Sequence, residues 1–176
     1  MSPKYSSGSG SVVAIAGHPL HPLIVTLPIG FLVGAFLSDL AYWRQPDPFW
    51  AHASYWLITV GLISGAIAAV FGIIDLVGLR RARTMGIGWG HGAGNLFVLV
   101  LTFVNFWTRQ SNPELPILPQ GLIISTIIVI LLMITGWLGG EMVFRHGVGV
   151  APTVGRGDDK KDPDFTPGGK SDIGKA

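Results

Sequence analysis

Four long apolar segments, separated by short polar linkers, dominate the pattern of this chain. They run from about residue 20 to 43, 53 to 79, 87 to 107 and 121 to 144. Each reaches the roughly 20 residues that an α-helix needs to cross about 30 Å of hydrocarbon. A helix satisfies its own backbone hydrogen bonds in lipid, and nothing here reads as barrel strands. The pattern therefore predicts four transmembrane helices.

The short linkers make consecutive helices antiparallel neighbours, and an even number of crossings returns both chain ends to one side. We therefore predict an all-α polytopic membrane protein, with an antiparallel four-helix bundle over residues 17–150. Residues 1–16 are expected to form a flexible tail. Residues 151–176, composed largely of Gly, Pro, Asp and Lys, are expected to be disordered because they contain almost nothing to bury.

Composition narrows the chemistry that the chain can support. The chain is 49% hydrophobic and 12% charged, and this charged share is roughly half that of a soluble domain. The absence of cysteine excludes disulfides, Cys-ligated zinc, iron–sulfur clusters and covalently attached c-type haem. The glycine-rich run 86–94 has neither a preceding strand nor a P-loop lysine, so no nucleotide site is predicted, and nothing in the chain points to nucleic acid.

The distribution of Lys and Arg predicts the orientation of the chain in the membrane. Ten of the twelve fall on the side of the chain ends, and only Arg44 and Arg109 fall on the other. Short cytoplasmic segments carry an excess of basic residues. Both termini are therefore expected in the cytoplasm.

Polar residues from distant parts of the chain should meet on the side of the chain ends. Antiparallel crossing brings the start of helix one, the end of helix two, the start of helix three and the end of helix four to that level. The residues concerned are His18, His21, Asp75, His91, Asn95, Glu141, Arg145 and His146. Of the five histidines only His52 lies on the opposite side, where Asp39 can simply face interfacial water.

Histidines from two different helices predict a site for haem b or another metal, because neutral imidazole is the commonest metal ligand. His21 and His91 are our choice of ligands, with His18 and His146 as substitutes or as a second pair. Glycine stripes beside them either let the helices pack closely or leave room for a flat macrocycle. The arginines that could meet haem propionates at the cytoplasmic surface are Arg145, Arg80 and Arg81.

Two acidic residues in or near apolar helices, Asp75 and Glu141, are candidates for proton exchange. Ionisable groups inside a membrane are costly and are often functional. The simpler interpretation pairs Glu141 with Arg145 at i,i+4, and Asp75 with Arg80 or a histidine.

Three motifs carry a family resemblance. They are His18-Pro19-Leu20-His21-Pro22 with Pro28-Ile29-Gly30, the His91-Gly92 start of helix three, and the closing Gly139-Gly140-Glu141 with His146-Gly147-Val148-Gly149-Val150. Together they resemble the bacterial four-helix membrane family called domain of unknown function 2231, over residues 17–150. The resemblance implies a bacterial inner-membrane protein. Relatives occur joined to Rieske-type iron–sulfur domains, which implies membrane electron transfer.

Three functions remain open from the sequence. The first is an electron carrier that exchanges electrons with a quinone, a redox partner or a larger membrane complex. The second is a cofactor-free accessory subunit whose polar cluster stabilises the bundle or docks a larger complex. The third is a small proton- or ion-coupled carrier. The sequence shows no set of a nucleophile, a general base and a residue that orients the base. A carrier or an accessory subunit is therefore expected rather than a hydrolase or transferase.

Overall fold

A computed structural model describes residues 9–150 as a bundle of four long helices joined by short connections. The helices of the bundle are α2 (Thr26–Arg44), α3 (Pro48–Gly78), α5 (Gly86–Arg109) and α6 (Leu122–Phe144). Shorter elements are β1 (Ala14–Ile15), β2 (His18–Pro19), α1 (Leu20–Ile24), α4 (Arg80–Thr84) and a helical turn at Ile117–Gly121. Helix α2 packs on α3, α3 on α5, α5 on α6, and α6 returns to α2. This arrangement confirms the predicted all-α, antiparallel bundle.

The outer surface of the bundle is apolar along all four spans. Each span is long and apolar enough to cross a membrane, and large side chains such as Leu37, Ile63, Phe97 and Ile130 are about half exposed. Such a surface would be unfavourable in water, but it matches hydrocarbon. The protein is therefore a polytopic membrane protein whose lipid-facing surface is built from these side chains.

The middle of the bundle is held by close packing of aliphatic side chains against small residues. Leu32 of α2 is buried with Val98, Ile128 and Leu132. A Cβ atom at Gly61 of α3 would lie 2.9 Å from Leu32 Cδ2, so glycine is required for the helices to approach this closely. The small-residue stripe of α3 thus serves helix packing at this level.

The helix boundaries differ from the predicted ones mainly at the start of the second span. Helix α3 begins at Pro48 rather than near residue 53. Asp47 caps it by accepting a hydrogen bond from the Phe49 amide at 2.8 Å, and proline is well tolerated at the first helical position. The linker expected around residues 80–86 contains the short helix α4, whose Ala82 packs with Leu79 against Val148.

Residues 9–16, which were expected to be part of a flexible tail, are instead attached to the bundle. Strands β1 and β2 form a hairpin in which Ile15 pairs with His18. The turn between them uses positive φ at Ala16 and Gly17 (50° and 78°), as a two-residue hairpin requires. Gly10 pairs with Val148, so both ends of the described chain meet at one end of the bundle, called here the terminal end. The expectations for residues 1–8 and 151–176 lie outside the described residues.

Candidate functional site: a histidine pair at the terminal end

His21 and His91 are in direct contact at the terminal end of the bundle. Their ring centroids are 6.1 Å apart and the ring planes are perpendicular. His21 comes from α1 and His91 from the first turns of α5. The structure therefore brings together two imidazoles that are far apart in sequence.

Each imidazole is oriented by a backbone carbonyl of a neighbouring helix. His21 Nδ1 lies 2.9 Å from the Ala68 carbonyl of α3, and His91 Nδ1 lies 2.8 Å from the Thr135 carbonyl of α6. A carbonyl oxygen only accepts hydrogen bonds, so Nδ1 carries the proton in both rings. In a neutral imidazole of this tautomer, Nε2 is left with its lone pair, which is the arrangement of a metal-ligating histidine.

Asn95 contacts the same nitrogen of His91 that would ligate a metal. Its Nδ2 lies 3.2 Å from His91 Nε2 and donates to the His91 carbonyl at 2.9 Å. Because one amide nitrogen serves both contacts, Asn95 can keep the second when it gives up the first. The Asn95 amide can therefore move away from His91 Nε2 without losing its hydrogen bond to the His91 carbonyl.

The glycines beside the histidines make room for the imidazole rings themselves. A Cβ at Gly72 of α3 would lie 2.9 Å from two atoms of the His21 ring. A Cβ at Gly139 of α6 would lie 3.0 Å from His91 Cε1. At Gly72 and Gly139 the room left by the missing side chain is filled by an imidazole ring, which favours the close-packing alternative at these two positions.

The other predicted site residues are dispersed around this pair. His18 is exposed, and its Nδ1 lies 3.0 Å from the Ala16 carbonyl within the hairpin. His146 is partly buried just after α6. Arg145 forms an ion pair with Glu141 at 2.9 Å, with the Arg145 side chain 73% exposed, as the simpler i,i+4 interpretation predicted.

Asp75 binds the N-terminal segment of the chain. Its carboxylate accepts hydrogen bonds from the Ser11 hydroxyl (2.9 Å), the Val12 amide (2.8 Å) and the Val13 amide (3.3 Å). Three donors converge on one acidic group, which is the arrangement of an anchored carboxylate. The pairing of Asp75 with Arg80 or a histidine stays a prediction.

A second polar cluster, at the opposite end of the bundle, was not predicted from the sequence. Asp39 of α2 forms a bidentate ion pair with Arg109 of α5, at 2.8 Å for both Nη atoms, and both side chains are 0% exposed. The carboxylate also accepts from Ser54 of α3 and Ser125 of α6, each at 2.6 Å. Asn105 accepts from Arg109 Nε at 2.9 Å. We name these five residues the charge cluster.

The charge cluster overturns the expectation that Asp39 faces interfacial water. Arg109 had been assigned to a linker because the apolar run ends at Trp107, yet it forms the last residue of α5 and points into the bundle. The i,i+4 spacing of Asn105 and Arg109 could have indicated a shared helical face. All charge-cluster groups have hydrogen-bond partners, so the cluster joins four helices without an open ligand position.

The histidine pair is too small a ligand set to hold a bare metal ion. Within residues 9–150, no group of three or more His, Asp or Glu side chains could hold one. Protein sites for bare metal ions use three or four protein ligands. Any metal bound between His21 and His91 would have to bring its remaining ligands with it.

Comparison with known proteins identifies the family of this chain but no specific activity. Residues 17–152 match the family described as predicted membrane protein (DUF2231), and the chain therefore belongs to that family. This confirms the resemblance drawn from the motifs. No curated protein and no solved structure matches the chain.

Proposed function

We propose that this member of the DUF2231 family binds a b-type haem between His21 and His91 and acts in membrane electron transfer. The observation that carries the proposal is the perpendicular contact of the two rings at 6.1 Å. Bis-histidine ligation places ring centres about 6 Å apart, from two bonds of roughly 2 Å plus roughly 1 Å within each ring. The separation of the two imidazoles matches this value.

The number of ligands favours haem over a bare metal ion. The two histidines supply only two nitrogens, and a porphyrin supplies the other four that an octahedral iron requires. The chain also has no cysteine for covalent haem attachment, so the haem would be of the b type. Bound there, the iron would accept and release one electron at a time.

The residues around the pair would orient the ligands. The Ala68 and Thr135 carbonyls hold both Nδ1–H groups, which restricts ring rotation and makes each Nε2 a better ligand. Asn95 releases His91 Nε2 while keeping its bond to the His91 carbonyl. Arg145, exposed at the same end, is suited to pair with a propionate, as are Arg80 and Arg81 of α4.

The position of the site suggests what it exchanges electrons with. The excess of Lys and Arg at the terminal end supports a cytoplasmic location for that end in a bacterial inner membrane. A single haem at one face cannot carry electrons across the bilayer. We therefore expect it to relay electrons to a quinone or to a protein partner at the cytoplasmic face.

The test is the absorption spectrum of the detergent-purified protein, oxidised and then reduced. We expect a haem spectrum in the wild type and its loss in His21→Ala and His91→Ala. His52→Ala is the matched control, because His52 is exposed and lies at the opposite end. A colourless wild-type protein, expressed with adequate haem supply, would refute the proposal. So would retention of haem in both single variants.

A second candidate function is a cofactor-free accessory subunit of a larger complex. It is favoured by the same carbonyl contacts, because His21 ties α1 to α3 and His91 ties α5 to α6 without any ligand. This function predicts a colourless protein whose unfolding midpoint falls in His21→Ala and His91→Ala. Copurification of that protein with a membrane complex would then support it.

A further inference from the structure

Residues 9–19 form a strap across the terminal end of the bundle. At one side, Ser11, Val12 and Val13 bind the Asp75 carboxylate near the end of α3. At the other side, the Ser9 amide donates to the Gly147 carbonyl and the Gly10 amide to the Val150 carbonyl, both after α6. The strap therefore spans the ends of the two helices whose carbonyls hold the histidine rings.

The strap lies just beyond the histidine pair along α3. His21 contacts α3 at Ala68 and Gly72, and Asp75 follows one turn later on the same helical face. Val12 of the strap lies against Gly78, further still toward the helix end. The strap thus covers the end of the bundle outside the two imidazoles.

The strap also determines where His21 enters the bundle. The amide of Leu20, the residue before His21, donates to the Val13 carbonyl at 3.0 Å. Val13 in turn donates its own amide to Asp75. Only one residue therefore separates His21 from a backbone segment that is fixed by the carboxylate.

We propose that Asp75 is a positioning residue for the histidine pair. Its carboxylate holds the strap in place, and the strap presents His21 to His91. This inference rests on the proposed haem function for its purpose, while the anchoring itself can be measured without haem. It assigns to Asp75 a hydrogen-bonding role in place of proton exchange.

Two substitutions of Asp75 distinguish hydrogen bonding from proton exchange. Asp75→Ala removes every bond to the strap. Asp75→Asn keeps an oxygen for the Val12 and Val13 amides, and its amide group can donate to the Ser11 hydroxyl. A positioning role therefore predicts that Asn rescues what Ala loses, whereas a proton-exchange role predicts that both variants fail alike.

Release of the strap can be measured by thiol labelling, because the chain has no cysteine. Ser9 is buried, and its hydroxyl has no hydrogen-bond partner within residues 9–150, so Ser9→Cys introduces a single thiol without losing a bond. In the Ser9→Cys background, Asp75→Ala should raise the maleimide labelling rate by on the order of tenfold, and Asp75→Asn by no more than about twofold. Glu141→Ala is the control, because that acid bonds Arg145 at the surface.

Displacement of His21 is measured by its rate of modification with diethyl pyrocarbonate, followed by mass spectrometry. Asp75→Ala should speed modification of His21 by a similar factor and leave exposed His52 unchanged as an internal reference. In the haem-loaded protein, Asp75→Ala should convert a six-coordinate spectrum to a five-coordinate one, and Asp75→Asn should preserve the original spectrum.

The outcomes separate this inference from the proposed function. Unchanged modification of His21 in Asp75→Ala overturns the positioning role, whether or not haem is present. Haem in the wild type combined with an unaltered spectrum in Asp75→Ala also overturns it and leaves the proposed function intact. If Asp75→Ala does not fold, Ser11→Ala removes one anchor alone and should give a smaller increase in both labelling rates.

Discussion

Breaking the charge cluster should destabilise the protein more than any surface change. Asp39→Asn keeps the size of the side chain but leaves the Arg109 guanidinium buried, at 0% exposure, without a counter-charge. The Asp39 carboxylate accepts four short hydrogen bonds, two of them from Arg109. Hydrogen bonds to charged groups are worth about 1.5–3 kcal/mol each, and breaking a buried pair typically costs about 3–5 kcal/mol. We therefore expect Asp39→Asn to lower the unfolding free energy by about 3–5 kcal/mol.

The assay is reversible unfolding in mixed micelles of increasing SDS content, followed by far-ultraviolet circular dichroism. Glu141→Gln is the matched control, because the Arg145 side chain of this i,i+4 pair is 73% exposed and such a pair is worth only about 0.3–0.5 kcal/mol. The double variant Asp39→Leu/Arg109→Met removes both charges together. It should recover most of the loss, because well-packed apolar replacements of a buried pair are often neutral or stabilising.

A destabilisation below about 1 kcal/mol in Asp39→Asn would refute this reasoning, since it would mean that the pair is solvated rather than buried. A double variant less stable than the single one would refute the view that the uncompensated charge dominates the loss. It would place the stabilisation in the hydrogen bonds to Ser54 and Ser125 instead.

Two further predictions concern local packing and capping. Gly72→Ala would place a methyl group 2.9 Å from the His21 ring and should destabilise by about 1–3 kcal/mol in the same unfolding assay, whereas Gly136→Ala meets nothing within 4 Å and should not. Equal midpoints for these two alanine variants would contradict the close contact at Gly72. Asp47→Ala removes the N-cap bond to the Phe49 amide and should cost about 1 kcal/mol, with loss of helicity confined to the start of α3. Amide exchange that stays unchanged in the first turn of α3 would contradict a capping role.

The spans, and the placement of His21 and His91 at the same end of the bundle, could be inferred from the sequence for a simple physical reason. Apolar length defines a membrane crossing, and the parity of crossings decides which ends share a face. Neither inference requires knowledge of how a helix is rotated about its own axis. Both therefore depend only on counting along the chain.

The charge cluster could not be inferred because it depends on helix rotation. Asp39 and Arg109 lie near the ends of apolar runs, where charged residues usually mark the interface with water. Whether such a residue faces water or the bundle is decided by packing of all four helices. The sequence positions of Asp39 and Arg109 are compatible with side chains that face water and with side chains that face the bundle.

The anchoring of residues 9–16 was missed because the segment begins with Ser and Gly and its apolar run, Val12–Ala16, is short. Ser and Gly bury little, and local composition carries no information on a carboxylate more than 60 residues away. Backbone amides, which every such segment possesses, supply most of the contacts to Asp75. A short terminal segment can thus be ordered largely through its main-chain amides.

The charge cluster also has a consequence for how the chain is made. Its members come from all four long helices, and Asp39 and Ser125 are 86 residues apart. During synthesis, Asp39 enters the membrane well before Arg109 and Ser125 exist. Until the last helix is inserted, the carboxylate must be shielded by the insertion machinery or stay near water, so the order of translation delays closure of the bundle until its final span arrives.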